Sequence, residues 1–124
     1  MKRIWLLIFI LMVISTPVEA ATDVNVQGNV IQITAIDATD WIWTDDFPQS
    51  VNGLYIWSIS FSPSIQGDKC TFRLGSATGN IILHWEADNI YDEAELYFPP
   101  NIPFKLYFDS DDPGDTAVIT IILR

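Results

Sequence analysis

Apolar and polar side chains alternate along most of this chain, and the alternation has a period of two. Over residues 30–36, Ile31, Ile33 and Ala35 fall on one side and Gln32 and Thr34 on the other. Over 54–62, Tyr55, Trp57, Ile59 and Phe61 alternate with Ser58, Ser60 and Ser62. The clearest stretch is 69–86. There Cys70, Phe72 and Leu74 alternate with Lys69, Thr71 and Arg73, a loop runs from Gly75 to Asn80, and Ile81, Leu83 and Trp85 then alternate with Ile82, His84 and Glu86. Residues 104–108 and 117–123 repeat the pattern, with shorter extended runs at 41–44 and 95–98. A period of two puts successive side chains on opposite faces of a strand. The stretches between are turn chemistry: aspartates at 37–40, Asn52-Gly53, a Pro63 to Asp68 turn, Pro99-Pro100 and the acidic 109–115. No helical period of useful length interrupts them. About eight short strands in about a hundred residues predict an all-β antiparallel β-sandwich, jelly-roll-like or Ig-like, with a small closed barrel as the alternative. The 69–86 hairpin is predicted to be central, with Cys70, Phe72, Leu74, Ile81, Leu83 and Trp85 in the core.

The start of the chain changes the domain count. Lys2 and Arg3 precede an apolar run over 4–14, and Val18 and Ala20 occupy the −3 and −1 positions of a small-residue cleavage pattern. These are the three parts of a secretory signal peptide. The apolar run is eleven residues, and about 20 are needed to span a bilayer. The expectation is a leader over 1–20 and one β-sandwich domain over 21–124, secreted or periplasmic, with no membrane attachment after cleavage.

Charge then excludes partners. After residue 20 the cations Lys69, Arg73, Lys105 and Arg124 face fifteen acids, a formal charge of −11. Such a surface repels nucleic acid phosphates and anionic membranes. Cys70 is the single cysteine, so no internal disulfide forms and a disulfide-stapled module is excluded. Its strand position predicts a buried thiol.

Catalytic chemistry finds little support. His84 is the single histidine, and nothing in its spacing supplies the nucleophile and orienting acid that a triad needs. It is read as a half-exposed strand residue. Phosphate loops, dinucleotide turns and zinc spacings do not occur. The sharper metal candidate is Asp109, Asp111, Asp112 and Asp115, which crowd one turn. Calcium takes such oxygen clusters, although the glycine and terminal glutamate of an EF-hand loop are missing. The competing reading is a solvated turn whose aspartates cap backbone groups. A second acidic set, Glu86, Asp88, Asp92, Glu93 and Glu95, flanks the hairpin exit. The ligand candidates are Trp41 and Trp43, beside Asp40, Asp45 and Asp46 on a short segment. Exposed tryptophans on a sandwich stack on sugar rings, as in carbohydrate-binding modules. Trp57 and Trp85 fall in register with apolar neighbours and are read as core.

From Ser58 onward the chain also resembles a known group. Ser58-Ile59, Phe61 and Pro63-Ser64, then Arg73 with the Gly75-Ser76-Ala77-Thr78-Gly79 loop and Ile81-Ile82, then Lys105, Tyr107 and Asp109, then Ala117-Val118-Ile119, are similar to small all-β proteins found in phage and prophage genomes. The resemblance implies a virus-encoded accessory sandwich and carries no catalytic residue. The leader departs from that pattern and favours an exported protein that shares the fold. The sequence therefore predicts an exported, non-enzymatic module that associates with itself or with a larger assembly. A small carbohydrate-binding module with a glycan partner is the alternative.

Overall fold

The computed structural model describes residues 23–34, 40–110 and 117–124. The signal-peptide reading of 1–20 therefore lies outside the described residues. The fold is all-β. The described residues form nine strands, β1 (Asp23–Gln27), β2 (Val30–Thr34), β3 (Trp41–Ile42), β4 (Ile56–Ser62), β5 (Lys69–Leu74), β6 (Ile81–Glu86), β7 (Ala94–Tyr97), β8 (Leu106–Asp109) and β9 (Val118–Leu123). A 3-10 turn, Trp43–Asp45, follows β3.

The strands form two antiparallel sheets, ordered β1-β2-β9-β4-β7 and β3-β8-β5-β6. The pairings nest. β5 pairs with β6, β4 with β7, β3 with β8 and β2 with β9. This is a long hairpin folded over into two four-stranded sheets, the jelly-roll arrangement, and β1 adds one edge strand. The stretch at 69–86 is the tip of that hairpin, and every later pairing lies outside it. Of the two sandwich types the sequence admits, the order of the strands selects the jelly roll.

Between the sheets lies one apolar core. Ile31, Ile33, Ile56, Ile59, Phe61, Ile119 and Ile121 from the five-stranded sheet meet Cys70, Phe72, Leu83, Leu106 and Phe108 from the four-stranded sheet. Phe61 and Trp85 stack across the gap with centroids 6.1 Å apart. Each fully buried side chain of this size contributes about 1.5–3 kcal/mol. The alternation over 117–121 is realised as read: Ala117, Ile119 and Ile121 are buried, while Val118 and Ile122 are half-buried on the outer face.

Two bulges correct the predicted core. In β4 the consecutive partners on β9 are Ile56↔Leu123 and Ser58↔Ile122, so Trp57 is an extra residue. An extra residue opposes two side chains to one and reverses the alternation beyond it. Ile56 enters the core, and Tyr55 and Trp57, predicted inward, stand 51% and 47% exposed. In β6 the partners Phe72↔Leu83 and Arg73↔Ile81 leave Ile82 as the extra residue. Ile82 packs against the core and Ile81, predicted inward, is 53% exposed. Leu74 is also exposed, at the end of β5. β1 is a strand the pattern did not single out. Val24 and Val26 pack on the core while Asn25 is exposed, and Gly28, at φ 60°, makes the tight turn into β2.

A buried carboxylate fixes the β4–β5 connection. Asp68 is fully buried, and its Oδ2 accepts from the amides of Ser64 and Ile65 and from the Ser64 hydroxyl. Carboxylates that accept several N–H bonds hold turns of this kind in one conformation.

Candidate functional site

The predicted ligand residues Trp41 and Trp43 are not on the surface. They are 3% and 7% exposed and belong to the core. Their indole N–H groups are used internally: Trp41 Nε1 donates to Asp46 Oδ2 at 2.8 Å and Trp43 Nε1 to the Ser50 carbonyl at 2.6 Å. Buried indoles find partners in this way. Neither presents a ring face to a ligand. Their role is to pin the 43–53 loop, which Phe47 N→Trp43 O, Ser50 N→Phe47 O and Gly53 N→Ser50 O close turn by turn.

The exposed aromatic cluster lies elsewhere, where β4 begins and β7 ends. Trp57, put outward by the bulge, meets Tyr97 edge to face, with centroids 6.3 Å apart and planes at 89°. Tyr97 is 63% exposed. It sits opposite Ser58 on the five-stranded sheet. The Arg124 guanidinium lies 4.6 Å from the Trp57 ring centroid and donates through Nη2 to the Phe98 carbonyl at 2.9 Å. Backbone bonds fix the same group of residues, Phe98 N→Trp57 O and Arg124 N→Tyr55 O, each 3.0 Å. Arg124 covers one face of Trp57, which stays 47% exposed beside the open rings of Tyr97 and Tyr55.

Two open grooves flank this cluster. One, of about 350 Å³, runs over the outer sheet face and is lined by Ser60, Ser62, Glu93, Glu95 and Thr120. The other, also about 350 Å³, is walled by Gln49, Ser50 and Asn52 of the loop pinned by Trp43, and by Tyr55 and Arg124. Among the described residues no acidic side chain lines the second groove.

The outer face of the four-stranded sheet carries a different set. Thr71 pairs with His84 on one side and with Asp109 on the other, so the three residues form one row. Thr71 Oγ1 and His84 Nδ1 are hydrogen-bonded at 2.8 Å. Asp109 accepts from Arg73 Nε at 2.8 Å in an ion pair. The order His–Thr–Asp puts the hydroxyl between the other two groups, whereas a catalytic triad needs the histidine there. Beside this row the Tyr107 hydroxyl donates to Asp40, whose other oxygen accepts from Ser110 N at 2.8 Å. That bond, with desolvation and the charges of Asp40 and Asp109, pushes the Tyr107 phenol up to about 12. Burial pushes the Cys70 thiol far above its usual range, which keeps it protonated and unreactive.

For the calcium candidate, Asp109 is engaged by Arg73, and Asp111, Asp112 and Asp115 lie outside the described residues. Among the described residues no group of three or more His, Cys, Asp or Glu side chains is arranged to hold a metal ion. The second acidic set includes local caps: Asp92 accepts from Asp88 N at 2.9 Å, and Glu93 from Ser62 Oγ at 3.4 Å.

Sequence reasoning missed Trp57, Tyr97, Tyr55 and Arg124 as a cluster. The Leu-Tyr-Ile-Trp run over 54–57 is apolar at every position and fits either register, and only a bulge decides between them. Compared with known proteins, the chain matches no family model, no curated protein and no solved structure.

Proposed function

We propose that this chain is an exported, non-catalytic binding module whose ligand face is the Tyr55, Trp57 and Tyr97 cluster, and that its ligand is a carbohydrate. The observation that carries the reading is the exposure of Tyr55, Trp57 and Tyr97, 51%, 47% and 63%, with Trp57 and Tyr97 in edge-to-face contact. Sugar rings pack their C–H faces on such rings, and hydrogen bonds from the rim orient their hydroxyls. The groove beside Tyr55 offers the amides of Gln49 and Asn52. Jelly rolls host lectin domains as well as capsid proteins, an analogy of fold alone. The engagement of Asp109 by Arg73 and of His84 by Thr71 supports a non-catalytic role. The test is glycan-array binding of the exported chain. Binding that disappears in Trp57→Ala and Tyr97→Ala, with the melting temperature kept, is expected; binding that survives both substitutions would refute the placement.

A second reading, self-association or incorporation into a larger particle, has its own observation. β6 is an edge strand of six residues that carries the exposed Ile81. Edge strands can template further strand pairing. The resemblance to phage-encoded proteins agrees with it. Light scattering that finds an oligomer, dissolved by Ile81→Lys, would favour this reading over the first.

A further inference from the structure

We infer that the ligand carries a single terminal carboxylate, that of an acidic sugar, and that Arg124 receives it. This rests on the carbohydrate reading above and adds the charge of the ligand. The described residues contain four cations, and Arg73 is the one held in an ion pair, with Asp109. Lys69 lies across from Glu86 on the hairpin, and Lys105 immediately precedes β8. Arg124 alone among these four stands inside the aromatic cluster. Its guanidinium has five N–H donors in a planar fork. One contact, to the Phe98 carbonyl, fixes its position over Trp57, and no acidic side chain among the described residues lies within ion-pair distance of it.

The groove that Arg124 borders has matching chemistry. Its lining holds the carboxamides of Gln49 and Asn52, the Tyr55 ring and, among the described residues, no acidic side chain, in a protein of net charge −10. The neighbouring groove of equal size holds Glu93 and Glu95. A carboxylate is therefore better placed beside Arg124 than beside Glu93 and Glu95. A planar carboxylate suits the guanidinium fork, which binds it through parallel N–H···O bonds. The overall negative charge disfavours a polyanion, whose further charges would extend over the acidic surface. One charged sugar at a chain end, with neutral sugars behind it on Tyr97, satisfies both constraints.

The experiment is calorimetric titration of the full exported chain with a neutral oligosaccharide capped by one glucuronic acid, with the methyl ester of the same compound, and with polyglucuronate. The acid is expected to bind at least about tenfold more tightly than its ester. Arg124→Gln is expected to weaken binding of the acid about tenfold and so remove that difference, with a melting temperature that shows the fold is kept. Polyglucuronate is expected to bind more weakly per chain end than the capped oligosaccharide, and to gain affinity as salt rises. Equal binding of acid and ester by the unmodified chain overturns the carboxylate inference and leaves the carbohydrate reading standing. An acid preference that persists in Arg124→Gln overturns the role of Arg124. If none of these compounds binds, and a neutral glycan array is also blank, both readings fail together.

Discussion

Trp41 and Trp43 differ from Trp57 in where the sheet puts them, and the difference reverses what their neighbours in sequence suggest. Trp41 and Trp43 sit among aspartates on a short segment, yet they are buried and hold the 43–53 loop through their indole N–H groups. Trp57 sits within the long alternating run over 54–62, yet it is 47% exposed. A polar setting did not make the first pair surface residues, because each buried indole found one acceptor close by. An apolar setting did not make Trp57 core, because one extra residue in β4 turned it outward. The two regions still act together: the loop that Trp43 pins forms one wall of the groove beside Trp57.

The largest expected effect tests that contrast directly. Trp43→Ala should destabilise the fold by about 3–5 kcal/mol, the range for truncating a buried aromatic. Trp57→Ala should cost less than about 1 kcal/mol. Both are read from urea unfolding midpoints, and similar losses at the two positions would break the comparison.

A smaller effect is expected where the loop rejoins the sandwich. Gly53 has φ 108°, and a Cβ there would lie 2.4 Å from the Phe104 carbonyl carbon. Gly53→Ala should cost about 2–3 kcal/mol from backbone strain and the displaced neighbour. Gly28 has φ 60°, and a Cβ there would meet nothing within 4 Å, so Gly28→Ala should cost about 1 kcal/mol. Thermal melts of the two variants give the ranking, and a reversed order would mean that the loop does not pack as described.

The next test concerns the opposite sheet. The Tyr107 phenol is raised to about 12 from an ordinary value of 10.0. The folded state therefore holds the proton more tightly than the unfolded chain. That stability is fully present below about pH 10 and is lost as pH rises toward about 12. Tyr107→Phe should flatten this stretch of the stability profile, followed by chemical unfolding at a series of pH values. An unchanged slope would remove the Tyr107–Asp40 bond as its cause.

The smallest expected effect is spectroscopic. Acrylamide should quench the emission of Trp57 far more than that of Trp41 or Trp43, because collisional access follows exposure. Trp57→Phe should remove most of the quenchable fraction and leave the melting temperature nearly unchanged. A quenchable fraction of unchanged size in Trp57→Phe would mean that Trp57 is not the exposed tryptophan.

Much of the fold was legible in the residues. The alternation at 69–74 and 117–121 placed Cys70, Phe72, Ile119 and Ile121 inward, and the glycine-bounded loop marked the hairpin that proves to be the tip of the jelly roll. The proposed ligand face was not legible. Its members come from the bulge at Trp57, the end of β7 and the residue after β9, which are distant in sequence and adjacent only through the pairing of β4 with both β7 and β9.

What the sequence determined by itself is therefore local: strand periodicity, turn chemistry, net charge and the single buried thiol follow from each residue and its near neighbours. What the tertiary structure decided is the order of the strands and the sense of each side chain past a bulge. Both depend on which strand lies alongside. One unpaired residue in β4 costs the ladder little, but it exchanges the core face for the surface. That exchange carried Trp57 out to meet Tyr97 and Arg124.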